Sequence, residues 1–444
     1  MTTFGIAVAL VLAQTAPAQG APAAPAQGAS TLTIETALDQ ALARNYDLQS
    51  ARARMDQARE LSWKAWSGTL PQIVASGSLT HNDFGTSTLQ EFLPLPAGSP
   101  PIVLQSQNQR AAQIQATVPL IAPQAWFAIS AANAGERANA EVLENVRRDV
   151  LFGTAQAYYG AATVKQVVAV QERQLAISLD REKDARIRFQ AGTTPKVSLL
   201  RAEIDRARAE QDLKRAQNSY VSAKEALAAL IDRPKADFEV EVPPSPRVPG
   251  DPDSLETVAL TERPDLRAAQ EQITAERRTR DSVLARYAPV VAAFARWQYS
   301  NATGFSGSAT TWAVGLQATW TILDGLLRES DLRTSDAQIR EAESNRSGLE
   351  VRARTEVRQA RLDLDSAVAN REKAKEQADL ARENQRLVNV NFRAGAGTYL
   401  EVSDANTALL QAELSLVSEA LAADLAALRL MRAAGVFNER WKKG

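Results

Sequence analysis

Apolar and polar residues alternate along this chain with two different periods, and the switch between the periods marks its elements. Ile114, Ala116, Val118 and Leu120 alternate with Gln113, Gln115 and Thr117. Trp312, Val314, Leu316, Ala318, Trp320 and Ile322 alternate in the same way with Thr311, Gly315, Gln317, Thr319 and Thr321. A period of two describes strands with one apolar and one wet face. Strands are expected at about 70–83, 110–121, 288–301 and 310–322. Elsewhere the pattern is helical. Ile34 to about Trp66 reads as one helix with Thr33 as its N-cap. Ala125 to about Gln190 is roughly 65 residues without a proline, or ~100 Å of helix, and a matching run extends from about Leu326 to Arg393. A helix of that length needs partners along its whole course. The returning helices supply the seams: Leu213, Ala216, Tyr220, Ala223, Leu227 and Leu230 in one, and Leu410, Leu414, Val417, Leu421, Leu425 and Leu428 in the other. Both step by threes and fours, as coiled-coil seams do. The charged run Asp180-Arg181-Glu182-Lys183-Asp184 reads as a solvated face.

The order of elements occurs twice. Asp47-Leu48 aligns with Asp265-Leu266 and Pro71 with Pro289 at one constant offset. Ile114 aligns with Leu316, and Phe189 with Phe392, at an offset that is shorter because the first copy has the longer strand-to-strand loop. A register held across four blocks indicates duplication. Each unit reads helix, strand, strand, very long helix, turn, helix. The first repeat spans 30–236 and the second 255–436. They are separated by a proline- and glycine-bearing linker at 237–254 and followed by a tail at 437–444.

The two turns, RFQAGTTPKVSLLRAE and NFRAGAGTYLEVSDANTALLQAE, fall where each long helix stops and its partner starts back, at about 190–196 and 393–399. Gly192 and Gly395 occupy matched positions and suit a left-handed helix end. Thr194 followed by Pro195 reads as N-cap and first helical residue. Thr398 with Glu401 has the spacing of a capping box. The residues that recur are those a helical hairpin requires. Glu401 and Asp404 do not recur; their counterparts are Ser198 and Arg201. Their spacing of three puts both carboxylates on one helix face. Capping alone can account for Glu401, and a functional role is the alternative, whereas Asp404 lies past the first turn.

Composition narrows the field. Lys+Arg is 51 and Asp+Glu 52, a net charge of -1, which gives no reason to expect a nucleic-acid partner. There are no cysteines, so thiol catalysis, disulfides, cysteine-based zinc sites and a lipid-modified cysteine are excluded. His81 is the only histidine, so a histidine-rich metal site is excluded too, and no cofactor is expected. His81 and Asn301-Ala302-Thr303 read as loop residues at strand ends. Residues 1–29 read as a signal peptide and a disordered Ala/Pro-rich segment: Phe4 to Ala13 is apolar and Ala16, Ala18 and Ala21 are candidate cleavage sites, although no Lys or Arg precedes the apolar run. No later segment has the apolar length of a transmembrane helix.

The paired turn phrases and the duplicated plan resemble the outer-membrane efflux protein family, the TolC-like exit ducts of Gram-negative bacteria, and the resemblance runs from Thr31 to Ala434. It implies a mainly α fold with a transmembrane β-barrel portion. Three protomers give four strands each to a twelve-stranded barrel, and their helices form a periplasmic α-helical barrel. The implied partners are two further copies, a periplasmic adaptor, through it an inner-membrane pump or ABC exporter, and outer-membrane lipid. The implied gate is Glu401 and Asp404 with Val197 and Ser198, the last two where some members carry a polar-acidic pair. The implied adaptor contact is the two turns: Gly192, Thr194 and Pro195, and Gly395, Gly397, Thr398 and Leu400. Gly397 stands where some relatives place an arginine. The function implied is a passive exit duct, for multidrug efflux, metal efflux or type I secretion, and not an enzyme.

Elementary physics points the same way. Each strand has ~10 residues, the length needed to cross a bilayer at a tilt. Trp297, Tyr299, Trp312 and Trp320, with Trp126 and Phe127, fall near segment ends, as interfacial aromatics do. Four strands cannot close a sheet, and lipid does not tolerate an open edge. A soluble β-sandwich is the alternative for the strands, and a soluble coiled-coil scaffold or adaptor for the whole chain, although a scaffold has no use for alternating Gln/Thr strands. An envelope enzyme would need a nucleophile elbow, an HExxH or a phosphate loop, and none is present.

Overall fold

The computed structural model describes residues 30–86, 103–250, 254–304 and 307–437; the expected signal peptide and all of the tail beyond Phe437 lie outside these residues. In chain order the elements are β1 (Ser30–Leu32), α1 (Ile34–Arg44), α2 (Tyr46–Trp66), β2 (Gln72–His81), β3 (Asn108–Ile121), α3 (Pro123–Gln190) and α4 (Lys196–Leu230), then β4 (Phe238–Val240), α5 (Leu255–Glu262), α6 (Pro264–Ala285), β5 (Val290–Ser300), β6 (Thr310–Thr319), α7 (Leu327–Arg393) and α8 (Tyr399–Ala433). The expected first helix is two. Thr33 caps α1, but the chain breaks at Asn45, whose side-chain oxygen accepts from the N–H groups of Asp47 and Leu48 and starts α2 afresh. Its amide then donates to Leu230 O at 3.2 Å, fixing the break against the end of α4.

The long helices have 68 and 67 residues. Small residues let their partners approach closely. On α4, Ala202, Ala209 and Ala216 are buried, one per heptad; on α7, Ala353, Ala360, Ala367 and Ala374 repeat the device. Of the leucine-rich seam positions, Leu227 and Leu428 are fully buried.

The main core lies part-way along the helices. Leu38, Leu151, Tyr158, Leu227, Phe238, Leu428, Met431 and Phe437 cluster there around β1 and β4, which pair in parallel. The segment read as a linker thus contains a buried strand, because Phe238 and Val240 are apolar enough to enter the core. The Tyr158 hydroxyl is shared between Leu32 O (2.8 Å) and Glu241 O (2.9 Å), and so ties α3 to both strands. Tyr158→Phe removes both hydroxyl bonds, although Leu32 O keeps the bond it accepts from Glu241 N–H, and is expected to cost about 1 kcal/mol in denaturant unfolding.

The other strands form one antiparallel sheet in the order β2-β3-β5-β6, so among the described residues β2 and β6 are open edges. The register gathers Ile73, Ala75, Leu79, Ile114, Ala116, Val118, Val291, Ala293, Ala295, Trp297, Trp312, Val314 and Leu316 on one face. That face is uncovered: Ile73 is 74% exposed, Leu79 83%, Trp312 78% and Leu316 71%. The other face is polar. Gln113 donates to Gln115 and Gln115 to Thr117 along it. Phe294 is its large aromatic, and it lies over Gly315, where a Cβ would meet the ring at 3.0 Å. β6 ends at Thr319, so Trp320 and Ile322 lie beyond the strand rather than in it; the Trp320 indole N–H donates to Tyr287 O at 3.0 Å. Asn301 lies in the loop after β5, as expected, and from there bonds to the start of β3; His81 is the last residue of β2, hydrogen-bonded to Asn108. No helix among the described residues is long and apolar enough to cross a membrane.

Candidate gate at the hairpin tips

The α3–α4 and α7–α8 turns are built alike. After α3, Gly192 has φ +69°, its N–H donates to Phe189 O, and Thr193 N–H donates to Arg188 O. After α7, Gly395 has φ +79°, with matching bonds from Gly395 to Phe392 O and from Ala396 to Asn391 O. This is the Schellman pattern, which consumes the last free carbonyls of the helix. Alanine at Gly192 or Gly395 is expected to cost about 1–2 kcal/mol by forcing a Cβ into the left-handed region, visible as a lowered Tm of the hairpin.

The next helices start differently. Thr398 caps α8: its hydroxyl accepts from Glu401 N–H, and the Glu401 carboxylate accepts from Thr398 N–H at 2.9 Å. Gly397 packs behind this cap, where a Cβ would lie 3.3 Å from the Glu401 carboxylate and 3.2 Å from Phe392 N. α4 has no such box. Pro195, not Thr194, is its N-cap, because the proline has the extended conformation (ψ 153°) of a cap and the helix begins at Lys196. The Thr194 hydroxyl is buried with no hydrogen-bond partner among the described residues. Val197, Leu200 and Leu400 are exposed, Ser198 is half-buried, and Asp404 is exposed one turn past Glu401.

The structure adds contacts between the hairpins that the sequence reading did not single out. Asp205 of α4 accepts hydrogen bonds from the Tyr399 hydroxyl (3.1 Å) and the Ser403 hydroxyl (3.3 Å), both on α8. Arg181 of α3 reaches Asn389 Oδ1 (2.9 Å), Asn406 Oδ1 (3.1 Å) and Val402 O (3.4 Å). The expected solvated face around Arg181 is therefore partly an interface, and Glu182 within it is paired with Arg186 and Arg206. Further from the tip, Glu413 holds both Arg173 and Arg382 at 3.2 Å. A cavity of about 440 Å³ lies between the hairpins, lined among others by Arg181, Asp184, Thr194, Ser198, Phe392, Gly397 and Tyr399.

Burial and the Asp205 carboxylate push the Tyr399 hydroxyl up to about 12. A raised phenol pKa favours the folded arrangement below the unfolded value of about 10 and loses that contribution as pH rises toward 12. The bond is therefore complete at neutral pH, and its loss in alkali should vanish from the stability–pH curve of Tyr399→Phe. Burial lowers the Arg181 pKa, opposed by Tyr399 and Asp205; a guanidinium remains charged under such conditions.

Tyr399, Arg181 and Asp205 had a signal in the sequence. At the offset that aligns Phe189 with Phe392, they oppose Lys196, Asn384 and Ala408. Like Glu401 and Asp404, they are positions where the two copies diverge.

Helical hairpins stand at one end, and at the other, among the described residues, a sheet with two open edges and a bare apolar face, the arrangement of a protein whose sheet meets a membrane. The sequence matches the family described as outer membrane efflux protein over residues 37–233 and 256–436, and the chain belongs to that family. It is similar to the outer membrane protein VceC of Vibrio cholerae (TM-score 0.74, 20% identity, covering 90% of this chain and 96% of that one). It is also similar to CusC (TM-score 0.75, 17% identity, 94% and 99%) and to the open state of the MtrE outer membrane channel of Neisseria gonorrhoeae (TM-score 0.71, 19% identity, 91% and 89%). In sequence it is 26% identical over 233 residues to the cobalt-zinc-cadmium resistance protein CzcC of Cupriavidus metallidurans, covering 51% of this chain and 50% of that protein; the chain thus matches about half the length of this curated relative. The fold is the TolC-like one, the protein resides in the outer membrane with its helical portion in the periplasm, and the family is one of channels rather than enzymes.

Proposed function

We propose that three copies close their sheets edge to edge into a twelve-stranded barrel and work as the exit duct of a tripartite pump. Cargo moves passively from an inner-membrane pump or ABC exporter, through a periplasmic adaptor, to the exterior. The observation that carries this reading is the sheet: among the described residues β2 and β6 each have one edge unpaired, and the apolar face is exposed. An unpaired strand edge is not sustained in lipid, and joining β2 of one copy to β6 of the next removes every edge.

The helices then enclose a periplasmic conduit that tapers at the tips. The gate has two parts. Glu401 and Asp404 from three copies place six carboxylates around the constriction, with Val197 and Ser198 of the other hairpin beside them. Within each copy Asp205–Tyr399/Ser403 and Arg181–Asn389/Asn406 latch one hairpin to the other. Adaptor docking on the turns at Gly192–Pro195 and Gly395–Leu400 releases the latch. The cobalt, zinc and cadmium in the name of CzcC favour divalent cations as cargo, and acidic rings suit a cationic cargo.

Extraction from outer membranes in mild detergent, with mass measured by light scattering, should give three chains per particle, and planar bilayers should show a largely closed channel. A folded, detergent-free monomer would end the proposal.

A further inference from the structure

We propose that Arg110 binds a phosphate group of the phosphorylated glycolipid that forms the outer leaflet of Gram-negative outer membranes. The proposal rests on the membrane-spanning reading of the sheet. The register places Arg110 opposite Leu79, in line with Ala112, Ile114 and Ala116, on the uncovered apolar face. Among the described strand residues it is the one formally charged side chain on that face.

Its level on the face is specific. The next row inward holds Ala112 and Tyr299, and the row after that Ile114, Trp297 and Trp312. The next row outward is polar, with His81 hydrogen-bonded to Asn108 at 2.8 Å. Arg110 therefore stands where aromatic side chains give way to polar ones, about 20 Å of strand from Ile73. This end is remote from the helices, so it faces the exterior. A charge on the lipid face is tolerated only near the interface, and there a long basic side chain keeps its stem in the apolar layer and its head among polar groups.

The position is also built. Arg110 N–H donates to Asn301 Oδ1 at 2.7 Å, Arg110 O accepts from Asn301 N–H at 3.2 Å, and the Asn301 amide donates to Asn108 O at 2.7 Å. The backbone under the guanidinium is thus clamped from the neighbouring strand. Among the described residues no carboxylate pairs with that guanidinium. An exposed arginine on a clamped backbone at lipid headgroup level has the fork geometry for a phosphate.

The test uses the detergent-purified full-length oligomer, stripped of lipid and then offered bis-phosphorylated lipid A or its dephosphorylated form, with bound lipid counted by native mass spectrometry. Wild type should retain the phosphorylated form about fivefold better than Arg110→Gln, in line with ~1 kcal/mol per basic residue at a membrane surface. Arg110→Lys should lie between them, and all three should treat the dephosphorylated form alike. Equal retention of the phosphorylated lipid by wild type and Arg110→Gln overturns the proposal. So does an equal loss with both lipids, or displacement by inorganic phosphate alone, which marks a free-anion site. Loss of oligomer in Arg110→Gln but not Arg110→Lys would mark a structural charge and overturn it too. A wild-type chain that stays folded and soluble without detergent removes the membrane reading itself, which is a different failure.

Discussion

Replacing Asp205 and Arg181 together by alanine is expected to leave the duct open at rest. Asp205 is the acceptor for two hydroxyls of the opposite hairpin, and Arg181 reaches three acceptors there. Each of these partly buried bonds involves a charged group, and such a bond contributes about 1.5–3 kcal/mol. Two sites on one interface should shift the closed-to-open ratio by roughly 30-fold or more. Single-channel recording without adaptor should show long open times, and cells should admit bulky antibiotics that the outer membrane normally excludes. Tyr399→Phe leaves Asp205 its bond from Ser403, so its effect should be smaller. If the double variant stays as closed as wild type, the latch is not where closure resides. The Glu413 pairs with Arg173 and Arg382 lie outside the substitution and should keep the hairpins aligned, so that leakage reports opening and not unfolding.

The second large effect is expected at the carboxylates past the second turn. Glu401→Gln keeps the capping box, because a glutamine oxygen can accept from Thr398 N–H as the carboxylate does. Asp404 takes no part in the cap. The pair Glu401→Gln and Asp404→Asn thus removes six charges from a trimer while leaving the helix start intact. Rings of carboxylates favour cations and oppose anions; without them the cation-over-anion permeability ratio should fall several-fold, while the Tm stays unchanged. Glu401→Ala is the contrast: losing the cap should cost about 1 kcal/mol whether or not the residue meets cargo. An unaltered permeability ratio in the charge-neutral pair would remove these acids from the conduction path and leave Glu401 as a cap alone.

Much of the architecture is legible in the sequence. Strand alternation at Gln113–Leu120, the proline-free runs and the glycine-bearing turns each follow from local geometry, because a side chain's face is set by the period of its element. Local rules failed where a competing contact decided the outcome. Thr194 was the natural cap by residue type, yet Pro195 took the position. The alternation through Trp320 and Ile322 continued past the last ladder bond at Thr319. Asn45 looked like an ordinary helix residue, and it ends α1 because it can also bind Leu230 O, distant in sequence.

The duplicated plan, the length of the helices, the faces of the strands and the turns that fold each hairpin are all local properties of the chain, since they depend on neighbours a few residues apart. Which side chains of one hairpin meet the other depends instead on the assembled fold. Asp205 and Tyr399, Arg181 and Asn406, and Phe238 against β1 come together because long helices bring distant residues to the same height along the bundle. That height is a sum of packing contacts over the whole helix, and no short stretch of sequence records it.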